Sequence, residues 1–407
     1  MINARIQKEL EELEKGSKAA IINIVDCLIE EAHELRASDI HLDPQPDDMQ
    51  VRFRIDGILQ DIHALPKKIH PEIISRIKIV AGLRTDEHYA AQDGRFRSTL
   101  KNNGLVDVRV SVVPTFYGEN VVMRLLSDKA EEFTLETLGF SPANQKKILR
   151  EIRRPFGMIL ATGPTGSGKT TTLYTLIKNL NVRSTSIITI EEPIEYSIKG
   201  INQIQVNPRT GLTFANGLRS ILRQDPNVIM VGEIRDPETA GIAVNTALTG
   251  HLLLSTLHTN DAATTLPRLL DMKLEPYLIA STVNIAIGQR LVRNICPDCK
   301  VEKKITSAEA KSLEGVLPPQ IVKKYQNFFE GKGCDKCAGS GYRGRVGIHE
   351  VLTVDGAVRE AVLRKASAEE IKRVAVEQGM TPILEDGFEK AGAGMTTVSE
   401  VLRILHE

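Results

Sequence analysis

The segment Gly163-Pro164-Thr165-Gly166-Ser167-Gly168-Lys169-Thr170 constrains this chain more than any other part of it. It follows the apolar, β-prone run MILAT and precedes TTLYTLIKNL, which has helical spacing. A glycine-rich turn between strand and helix lets successive backbone N–H groups face one point, and the helix N-terminus adds partial positive charge there. The pattern reads as a phosphate-binding loop in which Lys169 reaches the outer phosphates and the Thr170 hydroxyl ligates Mg²⁺, with Thr171 counted among the nucleotide-binding residues. Three further runs, TSIITIEE, VIMVGE and HLLLSTLH, are apolar and separated by helical segments. Buried parallel strands have that texture, so an α/β nucleotide-binding core with both sheet faces covered is expected.

Such a loop is common to kinases, GTPases and motors, so the acidic residues must discriminate. Glu233 ends the run VIMVGE, where a carboxylate can orient a Mg²⁺-bound water. TIEEPIEY supplies Glu191, Glu192 and Glu195, one of which polarises the attacking water; the residues alone leave open which. His251 and His258 bracket an apolar run. Each is suited either to contact a phosphate or simply to pack at a strand end.

The remaining sequence divides by texture. At 407 residues, two or three cores are expected. Residues 1–37 read as one amphipathic helix, with Ile21, Ile24, Val25, Leu28 and Ile29 at helical spacing. Residues 38–126 alternate in short runs such as VRFRIDGIL and VDVRVSVV, with Asn103-Gly104 as a turn and PEIISRIKIVAGL as a helix, which makes a small α+β domain. Residues 127–138 suit a linker, and Ser141-Pro142 suits a helix start. The nucleotide-binding domain then runs from 139 to 407 and closes in helices opened by capping boxes at Ser367 to Glu370 and Thr397 to Glu400. Cys296-Pro-Asp-Cys299 and Cys334-Asp-Lys-Cys337 offer two chelating knuckles, enough for a closed Zn²⁺ site stapling an element at 292–345; a redox pair is the alternative. Cys27 stands alone in a helical pattern.

Lys plus Arg and Asp plus Glu balance at 52 each, so no global field draws the chain to nucleic acid or anionic lipid. The absence of Trp and the 4% aromatic content weigh against a nucleic-acid translocase, which needs stacking platforms. No run of about eighteen apolar residues is present, and Met1 leads into ARIQKELEELEK rather than a secretory signal. A soluble cytoplasmic protein without membrane insertion is expected. A phosphotransferase is a further alternative, though no acceptor-binding lid is evident.

Taken in order, GPTGSGKT, TIEEPIEY, DPNVIMVGEIRDPETA, TGHLLLSTLHTNDA and CPDC…CDKC strongly resemble the secretion ATPase superfamily, in the branch of the pilus-extension and type II secretion ATPases. The resemblance starts near Ala37, at ASDIHLDP, and runs almost to the C-terminus. It implies a RecA-like P-loop core, a smaller PAS-like α+β domain before it, and a zinc-stapled insertion with a helical tail. It also implies ATP, Mg²⁺ and Zn²⁺ as cofactors and a homo-hexameric motor peripheral to the inner membrane. Such a motor acts on a platform protein in pilus assembly or, alternatively, in type II secretion. By position in the motifs, Glu195 matches the water-activating glutamate and Glu233 the Walker B glutamate. Arg109 and Arg124 match arginines that close over ATP from outside the P-loop domain; Arg95 is a weaker third. Glu192 stands where the family usually has aspartate, and only one helix precedes ASDIHLDP, where the family usually has another domain.

Overall fold

The computed structural model describes residues 4–15, 17, 19–101, 104–126, 133–304 and 327–403. Asn103 of the expected turn, residues 127–132 of the expected linker and residues 305–326 of the tetracysteine element lie outside the described residues. The chain divides into two compact units, Met1–Glu131 and Glu132–Glu407.

The first unit opens with two helices, α1 (Ala4–Glu14) and α2 (Ala19–Glu34), where the sequence suggested one. The break falls where the sequence has Gly16 and Ser17, both poorer helix formers than their neighbours. Both helices belong to the domain rather than leading up to it. Ile6 and the α2 row Ile21, Ile24, Val25, Leu28 and Ile29 share one core with the sheet behind them. Strands β1 (Ala37–Pro44), β2 (Asp48–Ile55) and β3 (Ile58–Pro66) precede α3 (His70–Val80), and β4 (Gln92–Thr99), β5 (Leu105–Thr115) and β6 (Gly118–Leu126) come after it. They form one antiparallel sheet in the order β3-β2-β1-β6-β5-β4. In β5, Val106, Val108, Val110 and Val112 are buried while Asp107, Arg109 and Ser111 between them are not. The period of two thus gives the sheet one apolar face, covered by helices, and one polar face.

The second unit begins with α4 (Pro142–Glu151), capped by the Ser141 hydroxyl, which accepts from Asn144 N–H at 3.3 Å. Its sheet is built from β7 (Gly157–Thr162), β8 (Ile187–Glu191), β9 (Asn202–Gln205), β10 (Val228–Val231), β11 (Leu252–Leu257), β12 (Val283–Ile295) and β15 (Tyr342–Thr353), in the order β15-β12-β7-β11-β10-β8-β9. All neighbours are parallel except the edge strand β15. Every residue of β7, β8, β10 and β11 is buried. Alternate residues go to opposite layers: Met158 and Leu160 pack in one core with α6 (Phe214–Ile221), α7 (Pro237–Leu248), α8 (Thr265–Asp271) and α9 (Pro276–Thr282). Ile159 and Ala161 pack in the other with α4 and α5 (Lys169–Leu180). Burial on both faces is why these strands read as continuous apolar runs.

Beyond β12 the chain enters the first cysteine pair. A small antiparallel ribbon, β13 (Lys300–Lys304) with β14 (Asn327–Gly331), leads to the second pair and then to β15. Helices α10 (Gly356–Leu363), α11 (Ala368–Glu377), α12 (Ile383–Gly392) and α13 (Val398–Arg403) close the unit. Both expected capping hydroxyls are in use: Ser367 accepts from Glu370 N–H and Thr397 from Glu400 N–H, each at 3.2 Å. No described helix is long and apolar enough to cross a membrane.

Candidate nucleotide site and tetracysteine cluster

Strand β7 ends at Thr162, and the next six residues turn into α5. Gly163, Gly166 and Gly168 have φ of +146°, +80° and +85°, a region that costs a side-chain-bearing residue strain. Lys169 is 9% exposed, and its Nζ donates to the carbonyls of Gly163 at 2.8 Å and Pro164 at 3.0 Å, folding back over its own loop. Burial brings the ammonium down to about 8, partly offset by the charge of Glu233. A buried, weakly held lysine inside a glycine turn gains most from an anion.

Glu233 lies just past β10 with its side chain 12% exposed, and its Oε2 meets Arg235 Nε at 2.6 Å and His258 Nε2 at 3.0 Å. Lys169, Glu233 and His258 are thus gathered at the carboxyl ends of neighbouring parallel strands, where open α/β sheets bind ligands. The Thr162 hydroxyl fastens this edge, donating to the carbonyls of Leu257 and Thr259 at 3.1 and 3.0 Å. His251 is at the opposite end of β11, where its Nδ1 lies 3.2 Å from the Thr246 carbonyl; it is not brought to the site. Arg235 was not singled out from the sequence, although it stands only two residues after Glu233.

The three glutamates after β8 have separate environments. Glu191 is 2% exposed and accepts hydrogen bonds from Tyr174 Oη, from Thr189 Oγ1 at 2.5 Å and from Gln203 Nε2 at 3.2 Å. Burial pushes its carboxyl up, against the pull of those donors. It is an anchor that ties the turn to α5. Glu192 is exposed and Glu195 half-buried, and Glu195 N–H donates to Tyr174 Oη at 3.4 Å. The spacing of the motif could not separate these roles, because only the fold reveals Tyr174 beneath the turn.

In the first unit, Arg109 pairs directly with Arg124 across β5 and β6, and Arg95 pairs with Arg109 across β4 and β5. The row continues through Asp39 of β1 to Arg54 of β2, so four guanidiniums and one carboxylate cross five strands on the polar face. Directly opposed like charges such as Arg95 with Arg109 and Arg109 with Arg124 are destabilising, and the Asp39 carboxylate offsets part of that cost. Asp39 is 4% exposed and takes Arg124 Nε at 2.8 Å, Arg54 Nε at 3.5 Å and the Ser38 hydroxyl at 2.8 Å. Burial raises its carboxyl, but Arg124, Ser38 and Arg54 outweigh that and hold it below the usual range. Asp39 was missed from the sequence; it lies 85 positions from Arg124.

The four cysteine sulfurs lie within 4.8 Å of one another. Cys296 to Cys334 is 3.8 Å, Cys299 to Cys337 3.9 Å and Cys334 to Cys337 3.7 Å. A tetrahedron with Zn–S bonds of about 2.3 Å has edges of about 3.8 Å, so the set fits zinc, and the sulfurs are too far apart for disulfides. Cys337 Sγ also accepts from the N–H groups of Cys334 at 3.2 Å and Gly341 at 3.3 Å. Burial opposes ionisation there, but these donors bring the thiol down to about 6. Cys27 stays half-buried against the first unit's core.

The family described as type II/IV secretion system protein matches residues 14–403. The type IV pilus assembly ATPase PilB of Myxococcus xanthus is 44% identical over 400 residues, 97% of this chain and 70% of that protein. The type II secretion system ATPase E of Vibrio cholerae is 44% identical over 396 residues, 97% of this chain and 77% of that protein. The chain belongs to the type II/IV secretion system ATPase family. Among solved structures of the family's fold, the pilus retraction motor PilT with bound ADP superposes with a TM-score of 0.63 at 27% identity, covering 92% of this chain and 95% of that one. Legionella pneumophila DotB has a TM-score of 0.68 at 23% identity, covering 94% and 95%. The chain is accordingly a P-loop ATPase of this family with a RecA-like core.

Proposed function

We propose that this protein is the ATP-driven motor of type IV pilus assembly, working as a hexameric ring at the cytoplasmic face of the inner membrane against a platform protein. The observation that carries the reading is the gathering of Lys169, Glu233 and His258 at one sheet edge, beside a glycine turn whose lysine donates to its own loop. ATP phosphate oxygens replace the carbonyls of Gly163 and Pro164 as acceptors for Lys169, while the turn's N–H groups cradle the chain. Hydroxyl and carboxylate oxygens suit Mg²⁺, so Thr170, with Glu233 acting through water, would hold the ion, which neutralises charge on the β- and γ-phosphates. His258, hydrogen-bonded to Glu233, would sense the outermost phosphate. Glu195 polarises the attacking water. Arg109 and Arg124 stabilise the charge that develops on the γ-phosphoryl group, an effect of about 10³ to 10⁵ in rate for arginine fingers. Because they lie on a separate unit from the glycine turn, their engagement would gate the step. Cys296, Cys299, Cys334 and Cys337 hold a structural zinc that staples the second unit.

A second reading, export through a type II secretion system, is favoured by the Vibrio cholerae relative, of which the chain covers the larger share. Measuring ATP turnover against protein concentration, with sedimentation and zinc content on the same sample, tests the motor. Specific activity should rise as a hexamer-sized species forms, with one zinc per chain; full activity in a monomer refutes the ring. Disrupting the gene separates the two readings: loss of surface pili supports assembly, and loss of exported proteins with pili intact supports secretion.

A further inference from the structure

Strand β12 runs alongside β7 in parallel, and the last pair in register is Gly288 with Thr162. β7 stops there and the chain leaves for the glycine turn, but β12 continues to Ile295. The next residue of β12, Gln289, therefore lies beside the turn itself. It is 2% exposed, and both halves of its amide are used: Nε2 donates to the Ser167 carbonyl at 2.6 Å, and Oε1 accepts from the Thr172 hydroxyl of α5 at 2.8 Å. A Cβ at Gly163 would run into the Gln289 carbonyl oxygen, so that glycine is required partly because β12 presses on the turn; at Gly168 a Cβ would be in tight contact, 3.2 Å, with the Gln289 amide. The adjacent Arg290 donates through Nη2 to the Asn260 carbonyl at 2.9 Å, in the loop after His258.

A trans peptide is planar, with its C=O and N–H pointing in opposite directions. Whatever holds the Ser167 carbonyl on one side therefore aims the Gly168 N–H out of the other, away from Gln289. The Thr172 hydrogen bond fixes the first turn of α5 relative to that same amide. One side chain thus sets both the peptide that leads into the N-cap Gly168 and the helix that supplies its N-terminal charge.

We propose that Gln289 is a positioning residue for the phosphate loop, presetting the Gly168 N–H and the start of α5 to receive the phosphate chain of ATP. It touches no reacting atom. Its effect is on how much of the cradle is formed before nucleotide arrives, so it acts on affinity more than on the chemical step. The inference rests on the reading that ATP binds at this turn.

The test is the binding of a fluorescent ribose-labelled ATP with Mg²⁺ to the full chain, beside steady-state turnover. Gln289→Met keeps the length and loses both hydrogen bonds; it should weaken binding at least tenfold and raise KM to match, with kcat within about threefold of wild type. Thr172→Val removes the acceptor half alone and should cost about threefold, whereas Thr172→Ser restores wild-type binding. Lys169→Ala serves as control. Binding by Gln289→Met within twofold of wild type, while Lys169→Ala has lost it, overturns the positioning role. Wild-type binding by Lys169→Ala overturns the reading of the ATP site itself, and the proposal with it. Should Gln289→Met lose its cooperative thermal transition, the isosteric Thr172 pair decides on the same signal: equal binding by Val and Ser variants refutes the inference.

Discussion

The two sheets place their chemistry differently. In the second unit both faces of the sheet are covered, and the nucleotide-site residues collect where the strands end. In the first unit one face is polar, and its charges lie across the middle of five strands. A buried parallel sheet can present only its loops, so its site is assembled from the short segments that follow β7, β10 and β11. An open antiparallel face can align side chains that are far apart in sequence. The first kind of site is stiff by burial. The second depends on cross-strand register and on whatever neutralises its charges, here Asp39.

The sharpest way to break this contrast is to remove the row's central arginines. Arg109→Ala and Arg124→Ala should each lower kcat by about 10³ with little change in ATP affinity, because the proposed role of each is to meet charge that develops only in the transition state. An affinity loss without a rate loss would make them part of ground-state binding. Within the second unit, Glu195→Gln should leave ATP binding intact and cut hydrolysis about a hundredfold. Near-normal turnover would pass the water-activating role to Glu192 or Glu233, since Glu191 is committed to Tyr174. Asp39→Asn tests whether the polar face needs its carboxylate: with Arg124 less firmly placed, kcat should fall about tenfold while the melting temperature changes little. An unchanged kcat would show that Arg124 holds its place without Asp39. The smallest effect is on pH. Lys169 without nucleotide sits at about 8 and binds phosphate only when protonated. ATP affinity should therefore be flat below about pH 7, about half its plateau value at pH 8, and lower still above it, by at most about tenfold per unit. Affinity constant to pH 9.5 would mean the lysine keeps its proton.

The same contrast explains what could be read in the sequence. The strands β7, β8, β10 and β11, the glycine turn and the cysteine knuckles are local patterns, and each was legible as a run or a spacing. Asp39 and the alignment of Arg54, Arg95, Arg109 and Arg124 were not, because register across five strands is a tertiary property. Glu191 looked as reactive as its neighbours until the fold placed Tyr174 and Gln203 around it. The division of residues 1–37 into α1 and α2 was signalled by Gly16-Ser17, but the apolar spacing on either side outweighed it.

Strand β12 leads from Gln289 directly into Cys296, seven positions on, with no loop between them. An extended chain of that length spans at most about 23 Å, and the shift in pairing with β15 between Arg293 and Ile295 falls at its cysteine end. The distance between a phosphate loop and a metal knuckle is thereby written into a count of residues. Deleting or inserting one residue between Gln289 and Arg293, where pairing with β15 is regular, would turn Gln289 to the other face or pull the first cysteine pair away from the second. Loops elsewhere in the second unit can change length during evolution, whereas this interval should keep its number of residues even where its identities drift.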